Sequence, residues 1–187
     1  MKDSSKEVLA FVKENDVKFI RLAFCDHVGV QKNISLQPGE LERAFESGIP
    51  FNAWELPGFH LPAGTKLLLR PDARTLSILP WRPSSGRVIR LFCDLMNADG
   101  TPYGGDTRAM LQKTVQDAAQ LGYSIRIGSA CEFYLFHTDE NGDPTMVPQD
   151  HGSFFDLAPA DRGENVRRDI CLTLYEMGII PESSHHA

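Results

Sequence analysis

A chain of 187 residues, 42% of them hydrophobic, is long enough for one or two packed domains and too apolar for wholesale disorder. Its formal charge of -6 excludes a general nucleic-acid or membrane-surface binder, since both need a basic footprint. No apolar run approaches the roughly 18 residues of a membrane span. The polar start Met1-Lys2-Asp3-Ser4-Ser5-Lys6-Glu7 has no signal-peptide core, which points to the cytoplasm.

Ser4-x-x-Glu7 reads as a capping box, with Val8, Leu9, Phe11 and Val12 following at helical spacing. That helix ends near Asn15-Asp16. Val17 to Phe24 is rich in β-branched and aromatic side chains and predicts a strand. Asp26-His27-Val28-Gly29 turns it, and Val30 to Leu36 returns as the second arm of a hairpin. Pro38 opens a second helix with Leu41, Ala44 and Phe45 on one face and Gly48 as its stop. Residues 49–64 hold three prolines and no clear period, and predict a long ordered loop. Lys66 to Arg70, Thr75 to Leu79 and Arg87 to Leu95 predict three more strands. The first hundred or so residues thus read as a small α+β domain.

Asn97-Ala98-Asp99-Gly100-Thr101-Pro102 marks a boundary between residues 1–102 and 103–187. Beyond it, Asp106 caps a helix bearing Met110, Leu111, Val115, Ala118 and Leu121, closed by Gly122. Strands are expected at Tyr123 to Ile127 and Cys131 to Phe136, then a polar loop from Asp139 to Pro144 and a short strand at Phe154-Phe155. Asp161 to Met177 predicts a helix with Val166, Ile170 and Leu174 facing in and Gly178 as its stop, and Ile179 starts another strand. This second half is short for what it begins. Its sheet edges and helix face need cover from another part of the polypeptide or from a partner chain. Cys25, Cys93, Cys131 and Cys171 are widely separated, with no C-x-x-C pair, and predict buried free thiols rather than a zinc site.

Few residues carry chemistry on their face. On a strand, Glu132 would share a face with Tyr134 and Phe136, opposite Phe133 and Leu135. A carboxylate there is either a ligand or the partner of an arginine such as Arg126, and spacing alone favours the ion pair. Glu182, His185 and His186 are equally open. Adjacent histidines on a strand point to opposite faces, so at most one joins a site with Glu182 and Ser184. Unaided, these segments give a weak metal or nucleotide hypothesis. Arg21, Asp26, His27, Trp81, Arg87 and Arg90 read as structural, and Asp150-His151 receives no role.

The run Gly128-Ser129-Ala130-Cys131-Glu132-Phe133-Tyr134-Leu135-Phe136 resembles the glutamine synthetase family, type I branch. So do Gly163-Glu164-Asn165-Val166-Arg167-Arg168 and Pro181-Glu182-Ser183-Ser184-His185-His186. Supporting stretches are Val17-Lys18-Phe19-Ile20-Arg21, Asp26-x-x-Gly29, Pro71-Asp72, Leu76-Ser77-Ile78-Leu79-Pro80-Trp81 and Gly105-Asp106-Thr107-Arg108, in order along the chain. The resemblance implies a β-grasp domain over 1–102. Over 103–187 it implies the first part of the family's catalytic domain, an antiparallel sheet with helices. It also implies ligation of ammonia to the γ-carboxylate of glutamate through a γ-glutamyl phosphate, with ATP and Mg²⁺ or Mn²⁺. Family members form rings with sites between neighbouring subunits, so a homo-oligomer is expected. Divalent cations that neutralise a transferring phosphoryl group prefer oxygen ligands, which is why such a site is crowded with carboxylates.

Carried over by position, Glu132 matches a metal-binding Glu and Glu182 a Glu that contacts the nucleotide. Three acidic positions of the family are substituted. Ala130 stands where it has a second metal Glu, and Ala187 where it has a Glu after the two histidines. Asn52, in Phe51-Asn52-Ala53-Trp54-Glu55, replaces the Asp that serves ammonium, and Trp54 replaces a small residue. Each of the three removes a negative charge, and Asn52 cannot accept a proton. The chain is therefore expected not to be competent alone. Two alternatives remain: an inactive or regulatory paralogue that assembles with a full-length synthetase, and a relative that ligates another amine to glutamate, such as a γ-glutamyl-polyamine synthetase.

Overall fold

In the computed structural model, which describes residues 2–187, Val8 and Val12 lie one helical turn apart on α1 (Lys2–Glu14) and are both buried. The helix already runs from Lys2, so Ser4 lies in its first turn and is not the N-cap expected of it. It ends where the Asn15 side chain donates to the Phe11 carbonyl (2.9 Å) and Asp16 takes φ +51°, a left-handed conformation that Asp tolerates.

Strands β1 (Val17–Cys25) and β2 (Gln31–Leu36) form the expected antiparallel hairpin. Its turn is built on Asp26, whose Oδ1 accepts the Val28 and Val30 amides at 3.1 and 2.8 Å. A 3-10 turn at Pro38–Glu40 leads into α2 (Leu41–Ser47). Gly48 ends it at φ +76°, where a Cβ would meet the Leu68 Cβ at 3.1 Å and the Leu69 carbonyl oxygen at 3.2 Å. Residues 49–64 are not simply a loop. They open with β3 (Ile49–Asn52), paired antiparallel with β4 (Lys66–Pro71) so that Asn52 faces Lys66. Pro50 disguised this strand, and it is tolerated because β3 lies at the sheet edge. After a 3-10 turn at Ala73–Thr75 come β5 (Ser77–Ile78), shorter than expected, and β6 (Arg87–Met96).

The strand order is β2-β1-β6-β4-β3, with β5 pairing β6 off this row. β6 runs parallel to β1 and antiparallel to β4 and β5. Its alternate residues Ile89, Leu91, Cys93 and Leu95 all point into the core with Ile20, Leu22, Leu67 and Leu69. Leu41 and Ala44 of α2 cover them. Among the described residues, every buried apolar side chain lies between Val8 and Leu95. Of the four cysteines only Cys93 is buried, and burial pushes its thiol up. Cys25 and Cys171 are half-buried and Cys131 is exposed, so the expectation of four buried thiols is corrected.

Asp106 caps α3 (Thr107–Gln120) as expected, and does more. Its Oδ1 accepts the Arg108 amide (3.0 Å) while its Oδ2 accepts the Leu95 amide of β6 (2.9 Å). Arg108 bonds Asp94, also on β6, and reaches Asp72 at 2.7 Å. The Arg74 guanidinium, and then Arg108, hold the Asp72 carboxyl down at about 2 against the opposing effect of burial. The start of α3 is therefore tied to the sheet by charge, while its Met110, Leu111 and Val115 stay exposed.

Ile127–Ala187 forms a second compact unit. It holds a hairpin of β7 (Phe136–Thr138) and β8 (Pro144–Pro148), then α4 (Glu164–Glu176), which begins three residues later than expected. The strands expected at 123–127, 131–136, 154–155 and from 179 do not form, apart from Phe136 itself. A strand exists only with a ladder partner. These segments have none among the described residues, and Ile125, Ile127, Phe133, Tyr134, Ile179 and Ile180 are exposed. No helix among the described residues is long and apolar enough to cross a membrane.

Leu91 is fully buried and Leu111 is 54% exposed. Leu91→Ala should cost about 2–5 kcal/mol in urea denaturation, and Leu111→Ala should stay within roughly 0.5 kcal/mol.

Candidate functional site

The second unit is organised around polar side chains. Asp161 has a side chain only 1% exposed. Its Oδ1 accepts the Gly163 amide (2.8 Å), which shapes the turn before α4. One turn into α4, Arg167 returns to Asp161 with two parallel bonds, Nη1 to Oδ1 at 3.0 Å and Nη2 to Oδ2 at 2.5 Å. The Arg167 Nε donates to the Ser184 hydroxyl at 3.2 Å. The guanidinium therefore links the helix start, the turn and the terminal segment.

Asp150 builds a second turn of the same kind. Its Oδ1 accepts the Gly152 amide (3.2 Å), and its Oδ2 accepts the Arg162 amide (2.8 Å). His186 Nε2 lies 2.9 Å from Asp150 Oδ1. The Arg162 amide, the His186 ring and the Gly152 amide hold the Asp150 carboxyl down at about 2. The bond to Asp150 raises the His186 ring above its ordinary value, more than burial lowers it. His186 Nδ1 is buried; the Ser153 backbone is close enough to favour the protonated ring, but no hydrogen bond of ordinary geometry closes on this atom. His185 points elsewhere, its ring 5.2 and 4.7 Å from those of Phe154 and Phe155.

The residues expected to carry chemistry sit differently. Glu132 is exposed in a segment without regular structure, and among the described residues it has no ion pair; the expected salt bridge is not there. Glu182 is exposed too, and no bond joins it to Glu132. Asn52 ends β3, and its Nδ2 donates to Glu55 Oε1 at 3.1 Å, with Trp54 41% exposed between them in sequence. Sequence reasoning left Asp150, Asp161 and Arg167 without roles and His186 undecided. The signal that could have found the two carboxylates is a repeated Asp-x-Gly, at 150–152 and 161–163, the signature of a side chain capping its own turn.

Residues 16–98 match the family model of the glutamine synthetase β-grasp domain, and residues 104–187 that of the glutamine synthetase catalytic domain. The chain belongs to the glutamine synthetase family. It is 45% identical over 185 residues to the glutamine synthetase of Clostridium saccharobutylicum, covering 99% of this chain and 42% of that protein. Against the Methanosarcina mazei enzyme it is 42% identical over 183 residues, covering 98% and 41%. The chain thus spans about two fifths of the length of these curated relatives. A cryo-EM structure of Plasmodium falciparum glutamine synthetase shares the fold with a TM-score of 0.75 at 16% identity, over 97% of this chain and 42% of that one. A GmaS complex with ADP does so with a TM-score of 0.71 at 21% identity, over 91% and 39%.

The glutamine synthetase family implies divalent cations held by carboxylates. Glu132 offers such a cation an exposed, hard oxygen donor, whereas Ala130 two residues earlier offers no donor atom. Asp150, Asp161 and His186 bring ligand atoms within 4.8 Å of one another. They do not complete a cation site. Both Asp161 oxygens bond Arg167, and both Asp150 oxygens are engaged by amides and the imidazole. A cation there would sit against a guanidinium.

Asp161→Ala should speed amide exchange at Gly163 and Arg167 by roughly tenfold or more, the scale of a lost charge-assisted hydrogen bond. Asp139 Oδ1 accepts the Asn141 and Asp143 amides, both at 2.9 Å, in an exposed loop; Asp139→Ala removes that similar turn and should leave the Gly163 and Arg167 amides unchanged, and exchange followed by NMR checks both.

Proposed function

We propose that this chain contributes the β-grasp domain (1–102) and the first part of the catalytic domain (103–187) of a cytoplasmic, glutamine synthetase-type ligase dependent on ATP. In that reaction a side-chain carboxylate oxygen of glutamate attacks the γ-phosphorus of ATP and ADP leaves. Ammonia then attacks the acyl carbon, phosphate leaves, and the nitrogen gives up a proton. The observation that carries this reading is the ordered match of both family models along the chain, with relatives above 40% identity. Glu132 is assigned as a ligand for Mg²⁺ or Mn²⁺, Glu182 as a nucleotide contact, and Asn52 as the occupant of the ammonium position. Alone, the chain is inactive on this reading, because Ala130 and Ala187 supply no carboxylate and Asn52 cannot take a proton. It works within a homo-oligomer or beside a full-length synthetase, in the latter case as a regulatory partner.

One observation favours a second reading, ligation of an organic amine. Asn52 donates to Glu55 Oε1 at 3.1 Å, so the carboxylate of this turn stands three residues along from the family position, with the half-exposed Trp54 before it in sequence. A carboxylate and an indole on one short turn suit an alkylammonium better than ammonium. Amine-dependent phosphate release in the presence of a full-length synthetase, with ammonia against alkylamines and polyamines, separates the two.

Ala130→Glu should raise the Mn²⁺ affinity of the chain by roughly tenfold or more, and adding Glu132→Gln should abolish the gain. Calorimetric titration reads it, and an unchanged affinity would contradict the assignment of Glu132. Asn52→Asp should be tested together with Glu55→Gln, because two carboxylates at that distance disfavour each other's ionisation.

A further inference from the structure

We propose that Asp150 and His186 form a positioning pair whose imidazolium–carboxylate bond fastens the segment carrying Glu182 to the loop and turn of residues 150–163.

The terminal segment is held at four points, all near its end. His186 Nε2 meets Asp150 Oδ1 at 2.9 Å. The Phe155 amide donates to the His186 carbonyl at 3.0 Å, from a residue at φ +64°, rare for a bulky side chain. Arg167 donates to the Ser184 hydroxyl, and the His185 ring packs on Phe154 and Phe155. Glu182 lies two residues before Ser184 and is exposed, without an ion pair of its own among the described residues. Its place is therefore set between the Ile179 amide, which donates to the Leu174 carbonyl at 2.9 Å, and what holds Ser184 to His186. The loop is shaped for the ring: a Cβ at Gly152 would lie 3.1 Å from His186 Nε2 and 3.3 Å from the Ala160 carbonyl.

The charges around the ring favour its protonated form. Facing it are the Asp150 carboxylate from the loop, the Asp161 carboxylate from the turn, and Arg167 from α4, with Glu164 acting on Arg167 rather than on the ring. Two carboxylates against one guanidinium leave a net negative charge that imidazolium cancels and neutral imidazole does not. The bond to Asp150, then the charges of Asp150 and Asp161, raise His186 above 6.5. For a raised imidazole the contribution is complete below 6.5 and is lost as pH rises through the raised value. For the lowered Asp150 it is complete above 3.8 and is lost as pH falls toward about 2. The fastening thus holds between pH 3.8 and 6.5 and weakens as pH rises through the raised His186 value.

The proposal rests on the reading of Glu182 as a nucleotide contact only for what the fastening serves, and it is tested without nucleotide or metal. NMR titration of the full chain follows the His186 ring, the Glu182 and Ser184 amide shifts, and exchange at the Phe155 amide, corrected for its intrinsic pH dependence. The expected result is a His186 midpoint above the ordinary imidazole value of 6.5. Glu182 and Ser184 should shift with that midpoint, and Phe155 exchange should rise at least roughly threefold across it. Asp150→Asn should lower the midpoint and remove the coupled shifts. Gly152→Ala should lower it as well, by crowding Nε2 without changing charge. A His186 midpoint at or below 6.5, or Glu182 and Ser184 amides that ignore it in the wild-type chain, would overturn the proposal. The wild-type titration decides this even if a variant fails to fold. Failure here leaves the Mn²⁺ titration untouched, so the two readings fall separately.

Discussion

The carboxylate of Asp161, occluded and bound on both oxygens by Arg167, holds together a part of the molecule that has no apolar core. Among the described residues the buried apolar side chains end at Leu95, so burial of hydrocarbon cannot fix residues 127–187. Directional bonds do so instead. Asp161 shapes the turn that starts α4, Arg167 carries that order to Ser184, and Asp150 repeats the device one loop earlier. The hydrogen bonds of Ser184 and the His186 ring run to Arg167 and Asp150, with the Phe155 amide and the packing of His185 on Phe154 and Phe155 beside them. The arrangement is specific in geometry but thin in energy, because partly exposed charge pairs stabilise little.

The first unit works by the opposite rule. β6 is paired on both edges and lends alternate side chains to a closed hydrophobic cluster, so its register is fixed by burial. Polar groups there act at the ends of elements, where backbone amides would otherwise lack partners. Asp26 closes a hairpin, and Asp106 caps α3 while holding the last core residue of β6. Arg108 bridging Asp72 and Asp94 is the same logic at the joint between sheet and helix. A family that places chemistry on loops around a sheet gains from such joints, since they fix loop ends without occupying the loops.

This contrast explains what was legible in the sequence. The hairpin of β1 and β2, the α2 stop at Gly48, β4, β6 and the Asp106 cap follow from residue periodicity and cap chemistry that burial then enforces. β3 was hidden by Pro50, whose lack of an amide matters in a central strand and not at an edge. Beyond residue 122 the apolar alternation is real, but strand formation needs a partner strand and cover; outside the β7–β8 hairpin the expected strands find no partner within the described residues. Glu132 illustrates the limit: local pattern put it on a strand face beside an arginine, and it is free on an irregular segment. Asp161 is the converse, taken for the first residue of a helix when its side chain closes the turn before it. Motif order along the chain carried the family resemblance that local periodicity could not.

The central claim is that polar contacts, not a core, hold the unit bearing Glu132 and Glu182. Hydrogen exchange of the full chain at low salt and at about 1 M salt tests it, since the screening length falls to about 3 Å at that strength. The account predicts that exchange at Gly163 and Phe155 accelerates several-fold in high salt while the Leu91 amide of β6 is unaffected. Equal insensitivity of all three amides would contradict it, and would mean that residues 127–187 are held by packing.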